Sequence, residues 1–320
     1  MPSSQRLAAD VIVLGAGIVG VSAALALQAQ GRRVCLVDQE DPGRGTSFGN
    51  AGLIERASLI PYAMPRDPGT VLRMATNTHS VLRFQWGALP WYARWLQRYW
   101  HESAPSPLAR ATEDMRPLIE RCVAEHQPLI TAAGLQSLVR SDGWIELFRG
   151  PQTFATEAAL ARTRSEHYGL AMEVLDTHAL QARLPALRPE GGISGGVHWQ
   201  DPWTVLSPFK LVQGYAHLFS SGGGDILRAD AMALQPADPG WLLPLPDGRS
   251  LHASDVVLAL GADTGALAEK FGYRLPLRPK RGYHLHFRID AEHPALPFPV
   301  CDSASGFVMA TMEDGIRLTT

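Results

Sequence analysis

Asp10-Val11-Ile12-Val13-Leu14-Gly15-Ala16-Gly17-Ile18-Val19-Gly20, joined through one helix length to Val34-Cys35-Leu36-Val37-Asp38, is the stretch around which the rest of the chain arranges itself. Val11 to Leu14 is a short apolar run suited to a parallel strand buried on both faces. Gly15 permits a tight turn, Gly17 lets backbone approach a pyrophosphate, and Gly20 lets a helix lie close on the strand. The helix is expected from residue 18 to about residue 30, with Ala24 extending the small packing surface and Gly31 as its C-terminal cap. Arg32 and Arg33 sit near its negative end. The second strand closes on Asp38, whose carboxylate can accept hydrogen bonds from both ribose hydroxyls of an adenosine. A glycine turn alone is weak evidence; here strand, helix and acid agree on a dinucleotide site. Asp38 would repel a ribose phosphate, which argues against NADP and leaves NAD and FAD open.

At 320 residues the chain can bury a large core and is expected to form two domains. Its composition, 46% hydrophobic and 19% charged, is that of a soluble globular protein, and a formal net charge of -2 provides no basic field for nucleic acid. The first ten residues lack the apolar core of a signal peptide, and no apolar run is long enough to span a bilayer. Cys35, Cys122 and Cys301 are far apart, with no CxxC, so a reduced, cytoplasmic chain without structural zinc is expected.

Beyond Asp38 the chain is polar and glycine-rich up to Gly45, then reads Thr46-Ser47-Phe48-Gly49-Asn50-Ala51-Gly52. Small residues there allow close backbone approach, and Thr46, Ser47 and Asn50 offer groups that cap a helix or meet a phosphate. Residues 14–20, Val37-Asp38 and 46–52 together resemble the FAD-dependent D-amino-acid oxidase superfamily, in particular its bacterial D-amino-acid dehydrogenase small-subunit branch with a TSxxNAG segment. The resemblance implies FAD, with cofactor contacts at Gly15, Gly17, Ile18, Val19, Gly20, Asp38, Gln39, Thr46, Ser47, Asn50, Ala51 and Gly52. It also implies contacts at Ala231, nearest the adenine, and at Gly261 and Ala262, beside the pyrophosphate. Some relatives attach flavin covalently through a histidine; Gly49 stands at the matching place, so noncovalent FAD is expected. The fold it implies is α/β, a Rossmann-like FAD-binding domain (1–75 and 204–272) with a discontinuous α+β substrate domain (76–203 and 273–320).

Residues 61–90 are broken by prolines and read as irregular. Trp91, Tyr92, Trp95, Tyr99 and Trp100, with Arg94 and Arg98 interleaved, make an aromatic helix, read first as packed on the flavin domain and otherwise as a membrane-surface helix serving a quinone acceptor. Helices are expected over about 107–133, 154–168, 176–187 and from Ser207-Pro208, and strands over 225–234 and 255–262, with a hairpin at 241–253. In the strand after residue 282, Tyr283, Leu285 and Phe287 share one face, and His284 and His286 the other. With no third ligand in reach, the histidine pair is read as solvated or hydrogen-bonded rather than metal-binding. Arg281, which could clamp a carboxylate, Tyr283 and His284 are the candidate catalytic residues.

The expected reaction is oxidation of a D-amino acid or related small amine to an imine and then a 2-oxo acid, by hydride transfer to flavin. An oxygen-using glycine- or sarcosine-type oxidase, a NAD-dependent dehydrogenase and a non-catalytic incomplete chain are the alternatives. Members of the resembled family continue past Thr320, so the final hairpin, 306–320, is expected to leave an unpaired sheet edge.

Overall fold

The computed structural model describes residues 6–78, 85–188, 191–290 and 295–320. In chain order the elements begin with β1 (Arg6–Leu14), α1 (Ile18–Ala29), β2 (Val34–Asp38), α2 (Thr46–Gly49), β3 (Leu53–Ile54) and α3 (Pro68–Ala75). Then come α4 (Leu89–Glu102), α5 (Pro105–Ala132), β4 (Val139–Arg140), β5 (Trp144–Arg149), α6 (Pro151–Tyr168), β6 (Met172–Leu175) and α7 (Thr177–Arg183). β7 (Ile193–Trp199), β8 (Trp203–Val205), α8 (Pro208–Ser221), β9 (Asp225–Arg228), β10 (Gln235–Pro236), β11 (Trp241–Pro244), β12 (Ser250–Leu258) and α9 (Thr264–Lys270) follow. The last strands are β13 (His284–Phe287), β14 (Val300–Asp302), β15 (Phe307–Met312) and β16 (Gly315–Thr319).

Two compact units result. The first holds the residues up to 50, 128–138 and 207–281; the second holds 51–127, 139–206 and 282–320. These boundaries differ from the expected ones at residues 51–75, 128–138, 204–206 and 273–281. β3 pairs with β8, which also pairs with β4, and this draws 51–75 into the second unit. Residues 128–138 join the first, where Leu135 fills the space beside Gly214 that a side chain there would take. The second unit resumes at Gly282, and next to it the Tyr283 carbonyl accepts from the Thr320 amide at 3.0 Å.

The first unit is built on a six-stranded sheet ordered β10-β11-β12-β1-β2-β9. β12, β1, β2 and β9 run parallel, and β10 and β11 continue the sheet antiparallel. Val11 to Leu14 are buried, as strands enclosed on both faces must be, and Ile12, Leu14, Cys35, Val37, Leu243 and Leu251 form one core cluster. Burial, with the Asp225 charge second, pushes the Cys35 thiol up to about 12, so it stays a neutral core side chain. α8 starts at the expected Ser207-Pro208, where Ser207 Oγ accepts from the Lys210 amide, and it buries Leu211, Tyr215 and Phe219.

Two expectations for this unit are corrected. The strand expected over 225–234 stops at Arg228, because Asp230 Oδ1 takes the Met232 amide and turns 231–233 into a short 3-10 helix. The hairpin arm and the strand at 255–262 are one strand, β12, paired with β1 along its whole length; 261–263 then form another 3-10 turn.

The second unit holds a seven-stranded sheet, β13-β16-β15-β14-β5-β7-β6, and the three-stranded sheet β3-β8-β4. β5 and β14 are parallel; the other pairs of the larger sheet are antiparallel. β13 covers the outer side of β16, so the sheet edge is β13 and not the final hairpin as expected. Helix α3 forms within the stretch read as irregular because Asp67 Oδ1 caps Thr70 at 2.7 Å and Pro68 takes the first helical position, where no amide is needed. The aromatic helix, α4, is held within this unit: Tyr99 Oη donates to the Tyr62 carbonyl at 2.8 Å, and the Arg66 guanidinium lies 4.4 Å over Trp100.

Candidate cofactor site

The glycine turn between β1 and α1 is set by backbone fit. Gly15 has φ +105°, and a Cβ on it would fall 2.3 Å from the Ala259 carbonyl oxygen. One on Gly20 would fall 1.7 Å from the Gly15 oxygen. Gly17 differs: a Cβ there would meet only Ser47 Oγ, at 3.5 Å. Nothing in the packing forbids a side chain at Gly17, so the space beside it is available to something else.

The first turn of α1 presents amide donors and the positive end of its dipole. Ser47 Oγ accepts from the Ile18 amide at 3.1 Å, which puts an oxygen at the place an anionic ligand oxygen would occupy. Asp38 closes β2 with Oδ2 accepting from the Ala16 amide at 2.6 Å and Oδ1 from Glu40 at 3.0 Å, which ties the acid to the turn. The Gly43 amide donates to the Ala16 carbonyl at 2.9 Å, folding the 39–45 loop back onto the same turn. Gln39 Nε2 donates to Asp230 Oδ1 at 2.8 Å, and the Ala229 amide to the Asp38 carbonyl at 3.1 Å, which draws the 3-10 turn at Ala231 beside the end of β2. The Ala259 amide donates to the Leu14 carbonyl at 2.8 Å and sets the Gly261-Ala262 turn after β12.

The first unit therefore gathers Gly15, Gly17, Ile18, Val19, Gly20, Asp38, Gln39, Thr46, Ser47, Asn50, Ala231, Gly261 and Ala262 around the C-terminal ends of its parallel strands, where open α/β sheets bind ligands. Asn50 Nδ2 donates to the Ser47 carbonyl at 3.3 Å. Ala51 and Gly52 fall in the second unit, where the Gly52 carbonyl accepts from the Val205 amide. Arg281 is the last residue of the first unit and exposed; Tyr283, just before β13, and His284, its first residue, are in the second and exposed. The His284 ring stands 5.5 Å from that of His286, which accepts from Arg317 Nε at 2.9 Å. Among the described residues no three His, Cys, Asp or Glu side chains gather as a metal site, and no helix is long and apolar enough to cross a membrane.

Two carboxyls escaped the sequence reading. Glu55, one residue past β3, is raised to about 7, by burial first, and Glu146 in β5 is raised by burial as well. The usable signal was the alternation Trp144-x-Glu146-x-Phe148, an acid on the face of a strand that its neighbours mark as inward.

This fold and site define a dinucleotide-binding protein of the open α/β class. The family model described as FAD dependent oxidoreductase (DAO) matches residues 10–320, and the chain belongs to that family. A D-amino acid dehydrogenase of Cereibacter sphaeroides is 30% identical, over 88% of this chain and 65% of that protein. A D-amino-acid oxidase of Bradyrhizobium diazoefficiens is 28% identical, over 89% of this chain and 66% of that protein. The chain thus spans about two thirds of the length of these curated relatives. Glycine oxidase from Geobacillus kaustophilus has the same fold, with a TM-score of 0.67 at 17% identity, covering 98% of this chain and 70% of that one. The residues present fit the family's cofactor: FAD needs a close backbone approach for its pyrophosphate and an acid for its ribose, and Gly17 and Asp38 supply them.

Proposed function

We propose that the protein oxidises a D-amino acid or a related small amine to an imine, which water converts to the 2-oxo acid. The observation that carries this is the continuous path from the α1 N-terminus through Ser47 to Asp38, in a chain whose relatives are named D-amino acid dehydrogenase and D-amino-acid oxidase. Bound flavin would take up hydride from the substrate Cα; the chain's own part is to hold the cofactor, orient the amine and exclude water. Arg281, Tyr283 and His284 are assigned to the substrate side, with Arg281 suited to a substrate carboxylate. A cytoplasmic protein that meets a quinone acceptor at the inner membrane face is the reading of electron disposal, supported by α4, where Trp91 is 80% exposed. Direct use of oxygen is the competing reading, supported by the relative named an oxidase.

Purified protein should carry flavin absorbance, and acid precipitation should release the flavin. Screening D-amino acids, glycine, sarcosine and proline with a dye acceptor, with and without oxygen, identifies substrate and acceptor together. A preparation that takes NAD and never flavin overturns the proposal. Replacing Arg281, Tyr283 and His284 singly with Ala should raise KM or lower kcat; unchanged kinetics in all three removes the substrate-side assignment.

A further inference from the structure

His198, near the end of β7, is only 5% exposed, and neither the cofactor site nor the proposed chemistry uses it. Its register partners are Glu173 on β6 and Ile145 on β5, and the Phe298 ring meets it edge-on at 4.8 Å. Both ring nitrogens are engaged. Arg183 Nη1 lies 2.8 Å from Nδ1, and the Asp142 carbonyl oxygen lies 2.6 Å from Nε2. A guanidinium can only donate and a carbonyl can only accept, so the two contacts fix the imidazole from opposite sides. Nδ1 must accept, and Nε2 must carry the proton. The ring is thereby held neutral and in a single tautomer.

Arg183 is the last residue of α7, and its other arm donates from Nη2 to Glu173 Oε2 at 2.6 Å. One guanidinium thus grips two register partners on neighbouring strands and ties the C-terminal turn of α7 to the sheet. The rest of α7 is held by other means. Asp176 Oδ1 caps its start at 2.8 Å, and Leu180 and Leu184 are buried in a core cluster with Ile145 and Leu175.

We propose that the His198–Arg183 contact is an acid-released latch, which frees the C-terminal turn of α7 from β7 when a proton enters at Nδ1. The proton, taken from solvent, turns the acceptor into a donor that faces another donor, so the Arg183 bond is lost. Nε2 keeps its own proton and its bond to Asp142. Arg183 is left with Glu173 alone, a pair whose side chains are 34% and 44% exposed and which holds little by itself. The charged groups facing the ring are Arg183 from α7, Glu173 from β6 and Asp142 from the bend before β5; Ile145 and Phe298 are apolar. Burial acts most strongly and lowers the imidazole from its ordinary 6.5, with the Arg183 charge adding to it; the Asp142 carbonyl and the Glu173 and Asp142 charges oppose. The sign follows from linkage. The folded value lies below the unfolded one, so the stability His198 contributes is full above 6.5 and falls as the pH drops below it.

Nitrogen-15 spectra of the whole chain labelled at histidine, with His198→Gln identifying the resonance, read tautomer and titration together. At about pH 8 His198 should be the Nε2–H tautomer, and its midpoint should lie below 6.5. Arg183→Gln removes the facing cation and should raise that midpoint. Hydrogen exchange is then measured on either side of the wild-type midpoint and corrected for the intrinsic rate. On the acid side the amides of residues 181–184 should lose about tenfold in protection relative to those of α8, as the loss of one hydrogen bond to a charged group implies. His198→Gln should show no such dependence on pH. If that variant does not fold, the resonance moved by Arg183→Gln identifies His198, and the wild-type exchange decides. An Nδ1–H tautomer, a midpoint at or above 6.5, a ring that stays neutral until the whole chain unfolds, or α7 exchange that merely follows α8 overturns the latch.

Discussion

Gly17 and Gly20 belong to the same turn yet answer to different demands. An alanine at Gly20 would drive its methyl into the Gly15 carbonyl, so Gly20→Ala should destabilise the apo protein by about 1–3 kcal/mol or prevent folding. Gly17 has ordinary extended backbone (φ -74°, ψ -179°) and open space above it, so Gly17→Ala should leave the apo melting temperature unchanged and weaken FAD binding. Thermal melts of the apo proteins and a flavin titration separate the two. Asp38→Ala loses the carboxyl that braces Ala16 and that we propose as the ribose acceptor; flavin titration should show affinity lower by about 1–3 kcal/mol. The glycines and Asp38 were legible because their spacing is local. The Ser47 hydroxyl bond to the α1 N-terminus was not, because its partner is 29 residues away.

Among the elements, α8 was readable from its first two residues and β12 was not. Ser207 and Pro208 specify a helix start by themselves, and Ser207→Ala should cost about 1 kcal/mol in urea denaturation. β12 is interrupted in the sequence by Ser254-Asp255, which broke it into a hairpin arm and a later strand. In the structure both side chains have partners at the sheet margin: Ser254 Oγ donates to the Asp10 carbonyl at 2.9 Å, and Asp255 pairs with Arg32 at 2.5 Å. Polar residues within an apolar run read as a strand's end, and here cross-strand partners let the strand continue. The same blindness hid Glu146, whose surroundings come from β14 and β7 rather than from its own strand.

For the molecule as a whole, the exposed β13 edge is the feature with consequences for handling. Leu285 is 61% exposed, with Phe287 alongside it on an edge strand and exposed Tyr283 just before it, an arrangement that pairs readily with other chains. The 320-residue chain should self-associate with rising concentration, and Leu285→Lys should reduce this in sedimentation velocity. Two domains and an interrupted first unit were legible from motif order. The boundaries were not, because the pairing of β3 with β8 joins segments far apart in the chain. The central pairing of the first unit is just as distant: Arg6 to Leu14 lies against Ser250 to Leu258. On the ribosome, at roughly 5–20 residues per second, the N-terminal strand must wait on the order of ten to fifty seconds for its neighbour to be made. Through that interval β1, with its apolar run from Val11 to Leu14, has one sheet edge open, so the nascent chain is the form of this protein with most need of a chaperone.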